Sequence, residues 1–360
     1  MESLELDYQV KEKLVEIIKN IPFLSLEKAF IEEGFSSGAI PDLMFILSYD
    51  QRRIKIIVRV KVNGEPRHVR SAIHLLKEEI GIGENTYAMV AAPYISEDSA
   101  AMCRENAVGY IDLSGNCFIN FGKIYIERKK YPNQKIKRKP LRSIFSSKAS
   151  RVLRAMLLEP GRVWQIQELS RDAHVSMGLA FKVKKRLLDL EHAEEKKGGV
   201  SLTRPAELLG KWADNYSFRQ NKLHEYSGRK EDVKEMERDF AGYCREKEIP
   251  YALTLFSGLG MVLKFARYRQ GFAYVQDKER IPEIAEAIGL KKVDIDPNFI
   301  IVEPYDPGVM YGSGEIEGIS VVSEMQLYLD LVGYNSRSEE LAKFLLGKRL
   351  TARWQKESEV

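Results

Sequence analysis

The chain has 360 residues, a net charge of +4, 44% hydrophobic residues and 30% charged residues. This length suits two or three separately folding domains, and we expect three. The composition is that of a soluble globular protein, and neither a long apolar span nor a signal-peptide pattern occurs at the N-terminus. These features predict a cytoplasmic protein that does not enter a membrane. The mild positive charge allows a polyanionic partner without requiring one.

The first 130 residues alternate helical and strand-like patterns, with Ile54–Val62 and Thr86–Ala92 as apolar strand-like runs. A mixed α/β domain is expected there. From Arg128 to Arg142 there are eight lysines or arginines, no acidic residue and two prolines. Such a stretch favours a solvated basic linker, which we place at residues 131–144.

Two further domains are predicted after the linker. Residues 145–216 contain short helical patterns and a glycine turn, and residues 217–360 alternate strand-like and helical runs in the manner of a second α/β domain. The predicted fold class is therefore a multidomain protein with α/β and α+β parts. In the last domain, Ser257–Gly260 is predicted to be a strand-to-helix turn, since it lacks the lysine of a phosphate loop. The helical run Gln326–Leu331 has leucines that cannot share one face, which predicts burial on more than one side and internal hydrogen bonding of Tyr328 and Asp330.

Three cysteines, Cys103, Cys117 and Cys244, are widely spaced and show no CxxC or Cys/His ligand spacing. This argues against a disulfide framework and a zinc site. We expect buried thiols, no bound metal and no cofactor.

The segment from Gln165 to Leu190 has the pattern of a helix-turn-helix. A first helix is predicted at Gln167–Ala173, a turn at His174 and Val175, and a second helix from Met177 to about Leu190 with Ser176 as its N-cap. A turn at Lys196–Gly199 between two short strands predicts a β-wing. The residues expected in the core are Leu169, Ala173, Val175, Leu179, Val183, Leu187 and Leu190. Trp164 and Phe145 are expected to be core aromatics, and Trp212 is expected to pack the helix after the wing.

Small residues at the start of the second helix would allow close approach to base edges, and its lysines would reach phosphates. A Lys-rich helix can also be a simple solvated face, but the cap, the core spacing, the glycine turn and the basic linker together favour double-stranded DNA as the partner. The predicted DNA-contacting residues are Ser176, Met177, Gly178, Ala180, Phe181, Lys182, Lys184, Lys185, Arg186, Lys196 and Lys197.

In the first domain, Pro41-Asp42 is followed by a strand, a turn and Ile57-Val58-Arg59-Val60-Lys61. This order resembles the PD-(D/E)XK nuclease superfamily, which implies a metal held by an Asp and a Glu, with a Lys assisting the attacking water. Asp42 and Lys61 match, but Arg59 stands at the position of the Glu. Two unit charges about 4 Å apart interact with about 4 kcal/mol at an effective dielectric constant near 20, so Arg59 would repel Mg²⁺.

We therefore expect a degenerate site and no enzymatic activity, unless Glu65 or one of the early glutamates (Glu16, Glu32, Glu33) replaces the missing acid. A simpler interpretation is that Asp42 terminates a strand, Lys61 lies at the surface, and the domain is a scaffold or a nucleic-acid platform.

Several stretches together resemble the AbiEi-type antitoxins of type IV toxin-antitoxin systems. They are Val90–Ser96, Gly109–Asn116, Lys148–Trp212, Val321–Leu331 and Arg337–Leu346. The resemblance implies a repressor that binds operator DNA through a winged helix-turn-helix, with a C-terminal domain that supports antitoxicity or assembly. It also implies a genetically linked, nucleotidyltransferase-like toxin that the antitoxin need not touch. The alternatives are a DNA-processing nuclease-like enzyme and a protein-binding scaffold.

Overall fold

The computed structural model describes residues 2–21, 23–31, 42–49, 52–78, 85–129, 131, 143–228, 232–263, 268–335 and 338–354. Two compact units make up the chain: unit 1 is Met1–Pro140 with Leu188–Glu191, and unit 2 is Leu141–Leu187 with His192–Val360. In the described ranges, no helix combines the length and the apolar character needed to cross a membrane. Most of the predicted basic linker, together with Glu32, Glu33, Pro41 and Arg337, lies outside the described residues.

Unit 1 is built on one mixed sheet whose seven strands follow each other in chain order. Strands β3, β4 and β5 are parallel, and the other neighbours are antiparallel. The elements are α1 (Glu2–Lys19), β1 (Ser25–Ile31), β2 (Leu43–Tyr49), β3 (Arg52–Val60), α2 (Pro66–Glu78), β4 (Thr86–Ala92), α3 (Glu97–Glu105), β5 (Gly109–Asp112), β6 (Cys117–Phe121) and β7 (Ile124–Arg128).

The alternation of side chains along β3 explains why this sheet is covered on both faces. Ile56 and Val58 belong to a buried cluster that includes Leu14 of α1. Ile57 belongs to a second cluster, which includes Val69 of α2. The apolar runs predicted as strands are thus confirmed as the centre of an α/β unit.

Unit 2 begins with the elements α4 (Ser147–Leu158), α5 (Ile166–Asp172), α6 (Met177–Asp189), β8 (Ala193–Lys196), β9 (Gly199–Leu202) and α7 (Pro205–Asp214). Its remaining elements are β10 (Lys222–Ser227), α8 (Val233–Glu246), β11 (Tyr251–Leu253), α9 (Leu255–Leu263), β12 (Gly271–Val275), α10 (Ile281–Ala287), β13 (Lys291–Lys292), β14 (Phe299–Glu303), β15 (Gly314–Ile316), β16 (Ile319–Val321), α11 (Glu324–Tyr334) and α12 (Glu339–Leu345). The seven-stranded sheet of this unit has the order β13-β10-β14-β12-β11-β16-β15, so the mixed α/β character predicted for this region is confirmed.

The predicted turn at Ser257–Gly260 is wrong, because these residues lie inside helix α9. The helix begins at Leu255, directly after β11. The Ser257 hydroxyl accepts a hydrogen bond from the backbone N–H of Phe272 at 2.8 Å. A side chain at position 258 would lie 3.1 Å from the carbonyl oxygen of Leu253, so the glycine allows the helix to follow the strand closely.

Buried polar side chains join helix α4 to the C-terminal part of unit 2. Arg154 is fully buried and donates to the side-chain oxygen of Gln326, and to the hydroxyl of Tyr305 at 3.2 Å. Arg151 lies 2.7 Å from the Asp306 carboxylate, which is itself buried. A buried guanidinium is costly unless it is hydrogen-bonded, so these contacts fix where α4 lies.

Asp330 of helix α11 continues this network. Its carboxylate accepts hydrogen bonds from Tyr216 (2.6 Å), Thr254 (2.5 Å), Gln326 (2.7 Å) and Tyr274 (3.1 Å). Complete burial raises the pKa of Asp330 to about 6, although the four hydrogen bonds act in the opposite direction. The predicted internal hydrogen bonding of Asp330 and the burial of α11 on more than one side are both confirmed.

Candidate nucleic-acid interface

Helices α5 and α6 are joined by a short turn with defined hydrogen bonds. Ser176 accepts a hydrogen bond from the backbone N–H of Leu179 at 3.3 Å, so its predicted role as N-cap is confirmed. His174 has a φ of +49°, and the Ser170 hydroxyl donates to the carbonyl of Val175 at 2.7 Å. These contacts fix the direction in which α6 leaves the turn.

The predicted core side of α6 is confirmed at Val183 and Leu187, and it differs from the prediction at Leu179 and Leu190. Ala180, Val183 and Leu187 are fully buried, whereas Leu179 and Leu190 are only half-buried. The interpretation of Ala180 as a DNA-facing residue is therefore wrong. The predicted core packing of Leu169 and Ala173 from the first helix is confirmed.

The opposite side of α6 carries Gly178, Phe181, Lys182 and Lys185, which we call the open face. Their spacing of three, one and three residues places them on one side of a helix. Phe181 is 55% exposed, and Met177 at the adjoining N-terminal end is 53% exposed. Both lysines are exposed, and nothing lies within 4 Å of a side chain built at Gly178. The open face is thus accessible and combines an apolar ring with two cations.

Strands β8 and β9 form a hairpin that pairs Lys196 with Gly199, as predicted. Its turn contains Gly198 with a φ of +97°, a conformation that glycine adopts readily. No sequence pattern indicated a third strand, but Trp164 forms a β-bridge with Val200 through hydrogen bonds of 2.8 and 3.0 Å. A side chain at position 199 would lie 2.2 Å from the carbonyl oxygen of Trp164, so only glycine fits there.

Acidic residues of the hairpin hold two of the lysines that were predicted to contact DNA. Lys184 lies 2.9 Å from Glu195 and has only 18% of its side chain exposed. Lys196 lies 3.2 Å from Glu194, although both remain about half exposed. Arg186 is half-buried, whereas Lys197 is exposed at the hairpin turn. Of the lysines predicted to contact DNA, Lys182, Lys185 and Lys197 are thus the exposed ones outside these two ion pairs.

The three candidate nuclease residues in unit 1 lie close together at the end of β3. Arg59 is 7% exposed and donates to Asp42 at 3.3 Å, while the other Asp42 oxygen accepts from the backbone N–H of Val60 at 2.7 Å. Burial and the charge of Arg59 lower the pKa of Lys61, against the opposing effect of Asp42. The Asp42 carboxylate is thus occupied by a guanidinium and a backbone amide.

Asp7 of helix α1 is a further acid near this cluster, and the sequence did not suggest it. Burial and the negative charge of Asp42 raise the pKa of Asp7 to about 6. Helical periodicity places Asp7 beside the core residues Leu6 and Val10, but no motif spacing marks it. In the part of the chain that the structure describes, no group of three or more His, Cys, Asp or Glu is arranged to hold a metal ion. Cys103, Cys117 and Cys244 are confirmed as buried free thiols.

A helix, a tight turn, a second helix with an open basic face and a hairpin are the parts that DNA-binding regulators use. Comparison with known families is consistent with that class: residues 201–351 match the model described as "Transcriptional regulator, AbiEi antitoxin, Type IV TA system". The predicted similarity to AbiEi antitoxins is confirmed for this part of the chain, which runs from β9 through α12.

No curated protein matches the chain. A solved structure described as "Structure of EndoMS-dsDNA2 complex" is 14% identical, with a TM-score of 0.18, over 28% of this chain and 42% of that chain. The match thus spans less than half of the length of that protein, and a TM-score of 0.18 is too low to indicate a shared fold.

Proposed function

We propose that this protein is a sequence-specific, DNA-binding transcriptional repressor. In this proposal residues 145–216 form a winged helix-turn-helix, α6 enters the major groove, and the β8–β9 hairpin is the wing. The observation that carries the proposal is the open face of α6, where Lys182 and Lys185 lie exposed opposite a fully buried core side.

The dimensions of α6 suit this role. Its 13 residues span about 20 Å at a rise of about 1.5 Å per residue, and the major groove of B-DNA is about 12 Å wide. The N-terminal end of the helix is accessible, since Ser176, Met177 and Gly178 are exposed. Lys182 and Lys185 lie about one and two helical turns from that end, and lysines of a recognition helix contact phosphates.

The proposed biological role is that of the antitoxin in a type IV toxin-antitoxin system. The family match over residues 201–351 supports this role, because its description names a transcriptional regulator and an antitoxin. In this proposal the domain at 217–360 supports antitoxicity or assembly. The genetically linked toxin would be nucleotidyltransferase-like and would not need to contact this chain.

Residues 1–130 are proposed to be a nuclease-like domain that has lost its chemistry. The contact between Arg59 and Asp42 supports this, since a guanidinium occupies the carboxylate that would otherwise bind Mg²⁺. The alternative function is that of a metal-dependent DNA-processing enzyme. Asp7 favours it, because it supplies a second carboxylate near Asp42.

The test is a gel-shift titration of the full chain with the DNA directly upstream of its own coding sequence, against a scrambled duplex of equal length. We expect preferential binding of the upstream DNA and an affinity that decreases with salt. Equal binding of both duplexes, or of neither, would overturn the repressor assignment. Incubation of supercoiled plasmid with Mg²⁺ or Mn²⁺ separates the alternative, since nicking that disappears in Asp42→Ala would establish an enzyme.

A further inference from the structure

We infer that the open face of α6 recognises the 5-methyl groups of thymine, with Phe181 as the residue that determines specificity. This inference rests on the proposed function. It adds that the DNA site carries thymine at the position that faces Phe181 in the major groove.

The residues available on the open face limit how bases can be distinguished. Direct readout by hydrogen bonds uses Arg or Lys on guanine, Asn or Gln on adenine, and Asp or Glu on cytosine. The open face and the adjoining Met177 contain no Arg, Asn, Gln, Asp or Glu. Its two lysines are its only charged groups. Because the proposed function assigns both lysines to phosphates, apolar contact with thymine methyl groups is the base readout that Phe181 can perform.

Phe181 is placed to make that contact. Phe181 is 55% exposed, so apolar surface of its ring contacts water in the free protein. In a complex with DNA, a thymine methyl group would replace that water. Gly178, one turn earlier on the same face, has open space around it. A duplex can therefore approach the helix closely on the N-terminal side of the ring.

The charges beside Phe181 favour DNA over an apolar protein surface as its partner. Lys182 follows it directly, and Lys185 lies one helical turn further on. Burying both ammonium groups against an apolar surface would be costly, whereas phosphates on either side of the groove would pair with them. A ring with two cations on its C-terminal side thus suits a groove floor that carries methyl groups beside a phosphate strand.

The test compares two versions of the same upstream DNA, amplified with dTTP or with dUTP. Uracil keeps every hydrogen-bonding group of thymine and lacks only the 5-methyl group. We expect the natural protein to bind the uracil duplex more weakly, by about fourfold for each methyl group contacted. Phe181→Ala should bind both duplexes equally, at about the affinity of the natural protein for uracil DNA.

Two further variants control for the loss of a surface phenylalanine and for folding. Phe344 of α12 is 49% exposed, so Phe344→Ala is matched in exposure and should keep the full preference for thymine. Phe181→Leu retains an apolar side chain and should keep part of the preference for thymine DNA over uracil DNA.

The outcomes separate this inference from the proposed function. Equal binding of thymine and uracil DNA by the natural protein, with upstream DNA still preferred over scrambled DNA, overturns the inference and leaves the repressor in place. Full thymine preference in Phe181→Ala also overturns it, because another residue would then read the methyl groups. Binding to neither duplex would overturn both proposals.

Discussion

Lys184 of helix α6 and Glu195 of the β8–β9 hairpin form an ion pair, with 2.9 Å between Nζ and Oε1. In the basic segment that runs from residue 182 to residue 186, Lys184 thus has an acidic partner within the fold, whereas Lys182 and Lys185 are exposed. Sequence spacing alone treats Lys182, Lys184 and Lys185 alike. The structure predicts that their replacement has unequal effects on DNA binding.

Replacing Lys182 and Lys185 together with alanine should weaken binding to all duplexes, because lysine-phosphate contacts provide affinity with little sequence information. The slope of log K against log salt should become shallower by about 0.9 for each phosphate that the variant no longer neutralises. Fluorescence anisotropy at several salt concentrations measures both quantities. Lys184→Ala is the matched control and should change the slope little. An effect of Lys184→Ala as large as that of the double variant would show that the wrong side of α6 has been assigned to DNA.

Replacing Arg59 with glutamate should convert a closed ion pair into a repulsive cluster that binds metal. Without metal, the new carboxylate would lie among Asp42 and the partly buried Asp7, and unit 1 should unfold at a lower temperature. Mn²⁺ should restore part of that loss and should bind measurably in calorimetry, whereas the natural protein should show neither effect. Arg59→Gln removes the cation without adding an acid and serves as the control. Equal Mn²⁺ binding by the natural protein and Arg59→Glu would contradict the degenerate-site proposal.

The buried carboxyl of Asp330 predicts a pH dependence of stability. Its pKa is about 6 in the folded protein and near 3.8 when unfolded, so the folded state retains a proton that the unfolded state has released. Stability should therefore decrease as the pH rises from about 4 to about 6, by roughly 3 kcal/mol for this group, and should level off above that window.

Asp330→Asn should remove this part of the slope. All three tryptophans, Trp164, Trp212 and Trp354, belong to unit 2, so their fluorescence during urea unfolding reports on that unit. Burial also raises the pKa of Glu237, which adds a decrease of the same sign in both proteins. The difference between the two curves is the diagnostic quantity. Parallel curves from pH 4 to 6 would show that Asp330 does not titrate in this window.

The hairpin should be sensitive to a single methyl group at Gly199. A Cβ there would lie 2.2 Å from the Trp164 carbonyl oxygen, so Gly199→Ala must break the β-bridge to Val200 or displace its backbone. We expect a loss of about 1–3 kcal/mol in unfolding free energy, together with weaker DNA binding. Gly210→Ala in helix α7 is the control, because nothing lies within 4 Å of its Cβ position. It should stabilise the protein by about 0.5–1 kcal/mol. Equal stability of the two variants would contradict the close approach at Gly199.

Local patterns predicted the parts of the candidate site that depend on local physics. The start of α6 at Met177, the Ser176 cap and the hairpin turn follow from side-chain hydrogen bonding and glycine conformation, and the structure has them at the predicted positions. On the buried side of α6 the prediction was right at Val183 and Leu187 and wrong at Leu179, because Ala180 is the buried residue of that pair. Leu179 and Ala180 are both apolar and adjacent, so helical periodicity alone did not decide which of them faces the core.

Contacts between distant residues were the features that the sequence could not supply. Asp7 belongs to α1, Asp42 directly precedes β2, and their proximity depends on how α1 lies on the sheet. Glu195 neutralises Lys184 only because the hairpin folds back beside α6. Charge composition counts such residues as independent, and tertiary structure decides which remain exposed.

The buried contacts of Arg154 bear on how this protein can be taken apart experimentally. Arg154 belongs to the first helix of the proposed DNA-binding module, yet the groups that accept hydrogen bonds from its guanidinium, Gln326 and Tyr305, come from far along the chain. A fragment that ends after α7 would lack Gln326 and Tyr305, so the Arg154 guanidinium, which lies over the Trp212 ring, would lose these hydrogen-bond partners. We therefore expect deletions of the C-terminal region to destabilise the module, so that a loss of DNA binding would not assign that role to the deleted part. Point substitutions on exposed surfaces, rather than truncations, are the means of assigning antitoxicity and DNA binding to separate regions.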